Sequence, residues 1–173
     1  KVILSKGQSS NPHLRPEVII KQREKEAIQV AKKFKIHRTI FLRLNDQKLN
    51  EELPSAKERI LDIIKKENPE KIYIPTASDV HPDHRAVYKF IIELIKDVNT
   101  EVYCYEVWSI QDEGHPQIYV DITDYLSKKL RMMEMFQTEK LSVWIHTIPV
   151  VYKAWKYGFK INKRFAERFY KIK

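Results

Sequence analysis

The apolar positions of this chain follow two alternating periods, which predict a repeated order of strands and helices. In the stretch 16–34 apolar residues recur at helical spacing among Lys, Arg and Glu, and 39–43 follows as a short β-rich run. A second helix is predicted from Pro54 onward. The apolar run 71–75 then has the length and composition of a buried strand.

The alternation continues through the second half of the chain. Pro82 lies at the predicted start of a third helix with a broad apolar face. The runs 101–107 and 117–121 are predicted strands, and one more helix ends near Phe136. Strands that alternate with long helices imply right-handed crossovers. We therefore expect an α/β fold, a Rossmann-like three-layer sandwich with a mostly parallel sheet.

The length of 173 residues fits one domain. We expect 1–173 to form a single domain, with 138–173 as its C-terminal elaboration. Because residues 1–5 already read as a strand, we also expect the domain to begin upstream of Lys1. No run approaches the roughly 20 apolar residues that a membrane span needs.

Composition restricts the possible classes of binding partner only in part. The formal net charge of +9 favours nucleic acid, phosphorylated substrates or anionic membrane surfaces, but a solvated lysine-rich surface gives the same count. The one cysteine, Cys104, has apolar neighbours, which predicts a buried and unreactive thiol. We expect a cytoplasmic protein.

Candidate chemistry is concentrated in the segment S-D-V-H-P-D-H-R, residues 78–85. It lies between a predicted strand and the next helix, where open α/β sheets bind ligands. His81 and His84 are three residues apart at a helix start and can share a metal ion, with Asp83 to orient a histidine. Alternatively, Asp83 complements the helix dipole and the histidines are ordinary surface groups.

The stretch D-x-H-P-D-H, residues 79–84, resembles the second signature of the LmbE-like (PIG-L) family of zinc-dependent N-acetylglucosaminyl deacetylases. Further stretches resemble landmarks of that family in the same order, so that the resemblance covers nearly the whole chain. These stretches are 2–7, 23–26, 41–46 with Leu49, 105–108, 120–123 and 165–169.

The resemblance implies a role for each matching residue. His84 is the expected zinc ligand, and His81 the expected general acid or electrophilic stabiliser. Asp83 is expected to hydrogen-bond a histidine and tune it.

Three further positions match substrate contacts or their surroundings. Arg23 and Asp46 match positions that contact the sugar. An ion pair on the helix surface for Arg23 and a turn-forming role for Asp46 are equally good interpretations. Asp79 either contacts substrate or stabilises its loop.

The implied activity is zinc-dependent removal of the N-acetyl group from an N-acetylglucosamine-type sugar or sugar conjugate. Two departures stand against it. The family's first signature, H-P-D-D-E, is absent, and 137–139 reads Q-T-E where many relatives have a serine-glutamine pair. We expect the missing signature to lie upstream of Lys1. The alternative is a non-catalytic module that binds carbohydrate or a partner on the same fold.

The last stretch, 144–170, interleaves aromatic residues with Lys and Arg. Such a segment can stack on nucleic-acid bases, but we favour aromatics that pack onto the sheet or roof the active site, because the family-like F-A-E-R-F lies within it. Nucleic acid is not an expected partner. Peripheral contact with an anionic membrane surface is compatible with the Trp and Lys residues. A homo-oligomer is the default expectation, although the residues do not determine it.

Overall fold

The structure, a computed structural model, describes residues 1–9, 15–107 and 114–173. It divides into two compact units. The first consists of Lys1–Asp46 and Asp121–Glu167, and the second of Gln47–Val120 and Arg168–Lys173.

The described elements alternate between strands and helices. In chain order they are β1 (Val2–Ser5), α1 (Pro16–Lys33), β2 (Ile40–Leu44), α2 (Leu49–Glu52), a 3-10 turn (Leu53–Ala56), α3 (Lys57–Glu67), β3 (Lys71–Pro75), α4 (Pro82–Leu94), β4 (Glu101–Tyr105), β5 (Gln117–Asp121), α5 (Leu126–Glu134), a second 3-10 turn (Gln137–Glu139), α6 (Lys140–Lys160) and β6 (Ala166–Lys171).

The first unit contains a β1-α1-β2 motif. The two strands are parallel, and Val2 lies opposite Ile40. Helix α1 begins at Pro16, whose fixed φ suits the first helical position. Ile19 and Val30 are fully buried on one face of this helix, as the helical spacing of apolar residues predicts.

The C-terminal helices α5 and α6 complete the first unit. Near the end of α6, a Cβ atom on Gly158 would lie 2.6 Å from the carbonyl oxygen of Lys163. Since that distance is far below van der Waals contact, the chain after α6 can pack back onto the helix only where residue 158 has no side chain.

The second unit repeats the motif as β3-α4-β4. The strands are parallel and in register, from Lys71 opposite Glu101 to Pro75 opposite Tyr105. Helix α4 packs on β3 and on α2. The largest buried apolar side chains here include Leu53, Ile95 and Val102. Cys104 is fully buried as well, which confirms the predicted burial of this thiol.

Strand β6 lies between β4 and β5 in a sheet of order β3-β4-β6-β5 and is antiparallel to β4. It had not been predicted. Its alternation places Arg168 on the buried side, where this arginine forms an ion pair with Glu106. A charged residue at an inward position hides the apolar period of two from sequence inspection.

The α/β class is confirmed, and both βαβ motifs have the expected parallel strands. None of the helices in the described ranges is long and apolar enough to cross a membrane. Trp108, the last residue of the family-like stretch 105–108, lies outside the described residues.

Candidate active site

The candidate site lies beyond the carboxyl end of β3. The strand ends at Pro75, and α4 begins at Pro82. The intervening loop carries Asp79 and His81, while His84 follows in the first turn of α4. This is the position at which parallel α/β sheets bind ligands, as the sequence predicts.

Asp79 organises the loop from within. Its side chain is 1 % exposed, and Oδ1 accepts a hydrogen bond from the backbone N–H of His81 at 2.8 Å. The guanidinium group of Arg85 donates to the carbonyl oxygens of Asp79 and Val80, at 2.7 Å each. These hydrogen bonds hold the loop through the Asp79 carboxylate and through two of its backbone carbonyl groups.

The two histidine rings lie side by side. Their centroids are 4.8 Å apart and their planes are tilted by 30°. His81 occupies the N-cap of α4, and His84 lies within its first turn. The structure therefore brings the two predicted histidines together.

His84 faces the buried carboxylate. Its Nδ1 lies 3.1 Å from Oδ1 of Asp79, within ion-pair distance, but this buried nitrogen makes no hydrogen bond with any residue that the structure describes. In metal sites, a carboxylate that accepts the proton of one ring nitrogen orients the histidine and leaves the other nitrogen for a ligand, and Asp79 lies at the position of such a carboxylate. The nitrogen available to a metal ion is then Nε2.

His81 has the opposite arrangement. Its Nδ1 accepts a hydrogen bond from the backbone N–H of Asp83 at 3.2 Å. An accepting nitrogen carries no proton, so the neutral ring holds its proton on Nε2. The two adjacent histidines consequently present different groups, a proton donor on His81 and a lone pair on His84.

Asp83 is placed differently from the sequence expectation. Both oxygens of this buried carboxylate accept backbone N–H groups, from Gln47 at 2.7 Å and from Leu49 at 3.2 Å. Its side chain thus anchors the start of α2 to α4, and the carboxylate that lies beside a histidine ring is that of Asp79. Local sequence spacing does not reveal these different roles of Asp79 and Asp83, because the amides that bond to Asp83 come from 36 and 34 residues away.

Two residues near the loop were not singled out as site residues from the sequence. Burial, and then the charge of Asp79, raises the pKa of Tyr105, which ends β4. The hydroxyl group of Thr76, directly after β3, is buried and has no hydrogen-bond partner among the described residues. Unpaired buried polar groups are rare and mark places where a polar ligand can bind.

Arg23 lies on α1 in the first unit, where it forms an ion pair with Glu139. Its Nε atom would lie 2.3 Å from a Cβ atom on Gly7, whose φ is +66°. Glycine at position 7 therefore meets both a conformational and a steric requirement. On the same helix, the carboxylate of Glu26 accepts two hydrogen bonds from Thr138. One comes from the backbone N–H of Thr138 at 3.0 Å and the other from its hydroxyl group at 2.6 Å.

Asp46 follows β2 in the same unit and is partly exposed. Its backbone N–H donates to Oε1 of Gln8 at 3.1 Å, and Nζ of Lys6 donates to Oδ1 of Asn45 at 3.0 Å. The loops after β1 and β2 are thus joined by polar contacts. Arg23 and Asp46 belong to the first unit, while the histidine site belongs to the second.

The donor set fits zinc in chemical type but not in number. Imidazole is a common zinc ligand, and His84 has a carboxylate beside one ring nitrogen, as such ligands usually have. Within 1–9, 15–107 and 114–173, however, no group of three or more His, Cys, Asp or Glu residues lies close enough to hold a metal ion. The described part of the chain supplies only a fraction of a tetrahedral ligand set.

The fold and this histidine-aspartate site define a protein of the LmbE-like class. The family model PIG-L, described as GlcNAc-PI de-N-acetylase, matches residues 1–95, more than half of the chain. The chain belongs to this family. A comparison with curated protein sequences found no match.

Solved structures share the fold. N,N'-diacetylchitobiose deacetylase from Pyrococcus horikoshii has a TM-score of 0.77 at 21% identity, covering 99% of this chain and 71% of its own. GalB, the 4-carboxy-2-hydroxymuconate hydratase of Pseudomonas putida KT2440, has a TM-score of 0.80 at 16% identity, covering 99% and 82%. The zinc-inhibited form of teicoplanin deacetylase Orf2 has a TM-score of 0.72 at 12% identity, covering 98% and 86%. Because one neighbour is a hydratase, the fold alone does not determine the reaction.

Proposed function

We propose that this protein is a zinc-dependent hydrolase that removes the N-acetyl group from an N-acetylglucosamine-type sugar or sugar conjugate. Membership of the PIG-L family supports the reaction class. The single observation that carries the proposal is the pair His84 and Asp79, in which one ring nitrogen of a histidine lies 3.1 Å from a fully buried carboxylate. We further propose that residues 1–173 act as one domain and that the protein works in the cytoplasm.

Zinc would be held in part by Nε2 of His84, with Asp79 as the carboxylate that orients the ring. When bound, zinc supplies Lewis-acid polarisation of an acetamide carbonyl and of water. The buried position of Asp79 strengthens its effect on His84, because charge interactions are less screened away from solvent.

His81 is the proposed proton donor. Since Nδ1 of its ring accepts the Asp83 N–H, the proton of the neutral ring is on Nε2. The helix N-cap fixes the ring orientation through that same bond. A proton held at a known atom beside the expected metal ligand can be passed to the amine that leaves when an amide is cleaved.

Arg23, Asp46 and Asp79 are the proposed substrate-side residues. The ion pair with Glu139 holds the Arg23 guanidinium group in one place, which favours recognition of sugar hydroxyl groups or of a phosphate substituent. Asp46 keeps a partly exposed carboxylate in a loop whose backbone is tied to Gln8. Asp79 acts mainly through the loop geometry it imposes.

Acetate release from N,N'-diacetylchitobiose and from N-acetylglucosamine tests the proposal. Zinc is added stepwise to chelator-treated protein, because a zinc-inhibited state has been described for a protein of this fold. We expect acetate release that rises with the first equivalent of zinc and is abolished by His84→Ala. The matched control is His37→Ala, an exposed histidine that should leave the rate unchanged. Equal activity of the two variants would refute the metal role of His84.

A binding module without catalysis is the second candidate, and two observations favour it. The described residues offer no metal site with three ligands, and the sequence has no H-P-D-D-E. This candidate predicts saturable sugar binding without stoichiometric zinc and without acetate release. Calorimetric titration of both sugars, with and without zinc, separates the two.

A further inference from the structure

Helix α6 carries a continuous apolar stripe on its exposed side. The stripe residues recur at alternating steps of four and three, which places them along one line of the helix. They are Leu141, Ile145, Ile148, Tyr152, Trp155 and Phe159. Trp144 lies beside them, with 76 % of its surface exposed, and Phe159 is 82 % exposed.

The opposite face of α6 is the one that packs inward. Its buried residues are Ala154, Tyr157 and Gly158, and α6 contacts α5. The aromatics of this helix were expected to pack onto the sheet or roof the active site. Packing onto the sheet is wrong for Trp144, Trp155 and Phe159, which are exposed, because helical spacing turns them away from the buried face. A stripe of this length on a surface helix indicates an interaction surface.

Charge distinguishes between the partners that such a stripe can have. Helix α6 contains four lysines and no Asp or Glu, and the whole chain carries a net charge of +9. Lys140 and Lys156 are exposed beside the stripe. Two copies of the helix packed face to face would bring like charges together without an acidic counterpart. An anionic partner meets the same lysines with attraction.

The residue types point in the same direction. Four of the seven exposed apolar residues are aromatic, namely Trp144, Tyr152, Trp155 and Phe159. Helix-pairing seams favour Leu, Ile and Val at these positions, whereas tryptophan and tyrosine favour the boundary between lipid tails and headgroups. Lysines flanking an aromatic and aliphatic stripe are typical of helices that lie in that boundary.

We propose that the stripe of α6 docks the protein onto the surface of an anionic lipid bilayer. The helix would lie in the plane of the surface, with the stripe among the upper acyl chains and its lysines at the headgroups. This inference is independent of the chemistry at His81 and His84, so the two can fail separately.

Vesicle binding of the full chain tests this surface. The probes are vesicles of phosphatidylcholine alone and vesicles of phosphatidylcholine mixed with phosphatidylglycerol, assayed by flotation at low and high salt. We expect binding to the mixed vesicles that weakens as salt is added, and much weaker binding to the neutral ones. Equal binding to both kinds, or binding indifferent to salt, would overturn the proposal.

Substitutions in the stripe test whether it is the surface that binds the vesicles. The double variant Trp144→Ser and Phe159→Ser removes two large exposed side chains and should weaken binding by about 100-fold. Lys156→Gln removes one positive charge and should weaken it about 5-fold. The matched control is Ile28→Ser, a similarly exposed apolar residue on α1, which should bind like the unmodified chain. Unchanged binding by the double variant would contradict the proposal.

Tryptophan emission shows whether the side chains insert. The chain has three tryptophans, so Trp108→Phe leaves Trp144 and Trp155 as the reporters. We expect a blue shift on mixed vesicles and quenching by brominated acyl chains. A dimer that the double variant converts to a monomer, or an RNA complex that competes with vesicles, would assign the stripe to another partner and overturn the lipid assignment.

Discussion

The two units of this chain contain the same βαβ motif, but they use the polar residues beyond their strands in different ways. At the ends of β1 and β2, Lys6 and Gln8 bond to the Asn45–Asp46 turn. After β3, the buried hydroxyl group of Thr76 has no hydrogen-bond partner among the described residues, and Nδ1 of His84 faces the Asp79 carboxylate without a hydrogen bond to a described residue.

This difference separates a scaffold from a reactive site. Polar groups that satisfy one another hold backbone in place and gain little by meeting a ligand. Buried groups left without a partner gain a hydrogen bond or a metal contact when a ligand arrives. We therefore propose a positioning role for the polar loops after β1 and β2, and chemistry for the loop after β3.

The largest expected effect is on the stability of the second unit. Asp83→Ala leaves the backbone N–H groups of Gln47 and Leu49 without their acceptor, in a place where Asp83 itself is 5 % exposed. We expect the free energy of unfolding, measured in urea, to fall by about 3 kcal/mol. Asp83→Asn keeps an acceptor oxygen and should lose less. Equal losses for the two variants would show that the amide anchor is unimportant.

A smaller effect is expected on metal affinity. Asp79→Asn removes the charge beside Nδ1 of His84 and should weaken zinc binding about 10-fold to 100-fold, as loss of a histidine-orienting carboxylate usually does. Asp46→Asn, the matched change in the first unit, should leave zinc affinity unchanged. Equilibrium dialysis of both variants checks this contrast, and an equal loss in each would remove the distinction between the units.

In the first unit, we expect a loss of stability when Gly7 is substituted. Its φ of +66° and the approach of Arg23 both oppose a side chain, so Gly7→Ala should cost about 1–2 kcal/mol in thermal or urea unfolding. Gly114→Ala is the matched control, because φ is +69° there but no heavy atom lies within 4 Å of the added Cβ. The excess loss at position 7 measures the steric part. Identical losses would mean that Arg23 moves aside freely.

The smallest expected effect is on the stability of the fold at alkaline pH. Burial raises the pKa of Tyr105 above its ordinary value of 10.0, so the folded state disfavours the phenolate while the unfolded chain ionises normally. The stabilisation is present below pH 10 and is lost as pH rises through the raised pKa of the folded state. Tyr105→Phe should therefore flatten the alkaline fall in stability. A fall of unchanged steepness would contradict the assigned cause.

Much of this architecture follows from local patterns. The strands 71–75 and 117–121 and the helix start at Pro82 agree with the structure, because apolar runs and proline constraints act over a few residues. The adjacency of His81 and His84 follows from helix geometry in the same way.

The remaining features depend on contacts distant in sequence. The choice of Asp79 over Asp83 as the carboxylate beside His84 depends on backbone amides from the start of α2. Strand β6 is hidden because Arg168 on its buried side is neutralised by Glu106, 62 residues away. For α6, the aromatic composition suggested packing, whereas the three-four spacing of the same residues gives the exposed face.

The most direct test of the central claim measures zinc content and acetate release together in His84→Ala and His81→Ala. We expect His84→Ala to lose both zinc and activity, whereas His81→Ala should keep its zinc and lose only acetate release. Loss of zinc in both variants, or retention of zinc in both, would contradict the division of tasks between the two histidines.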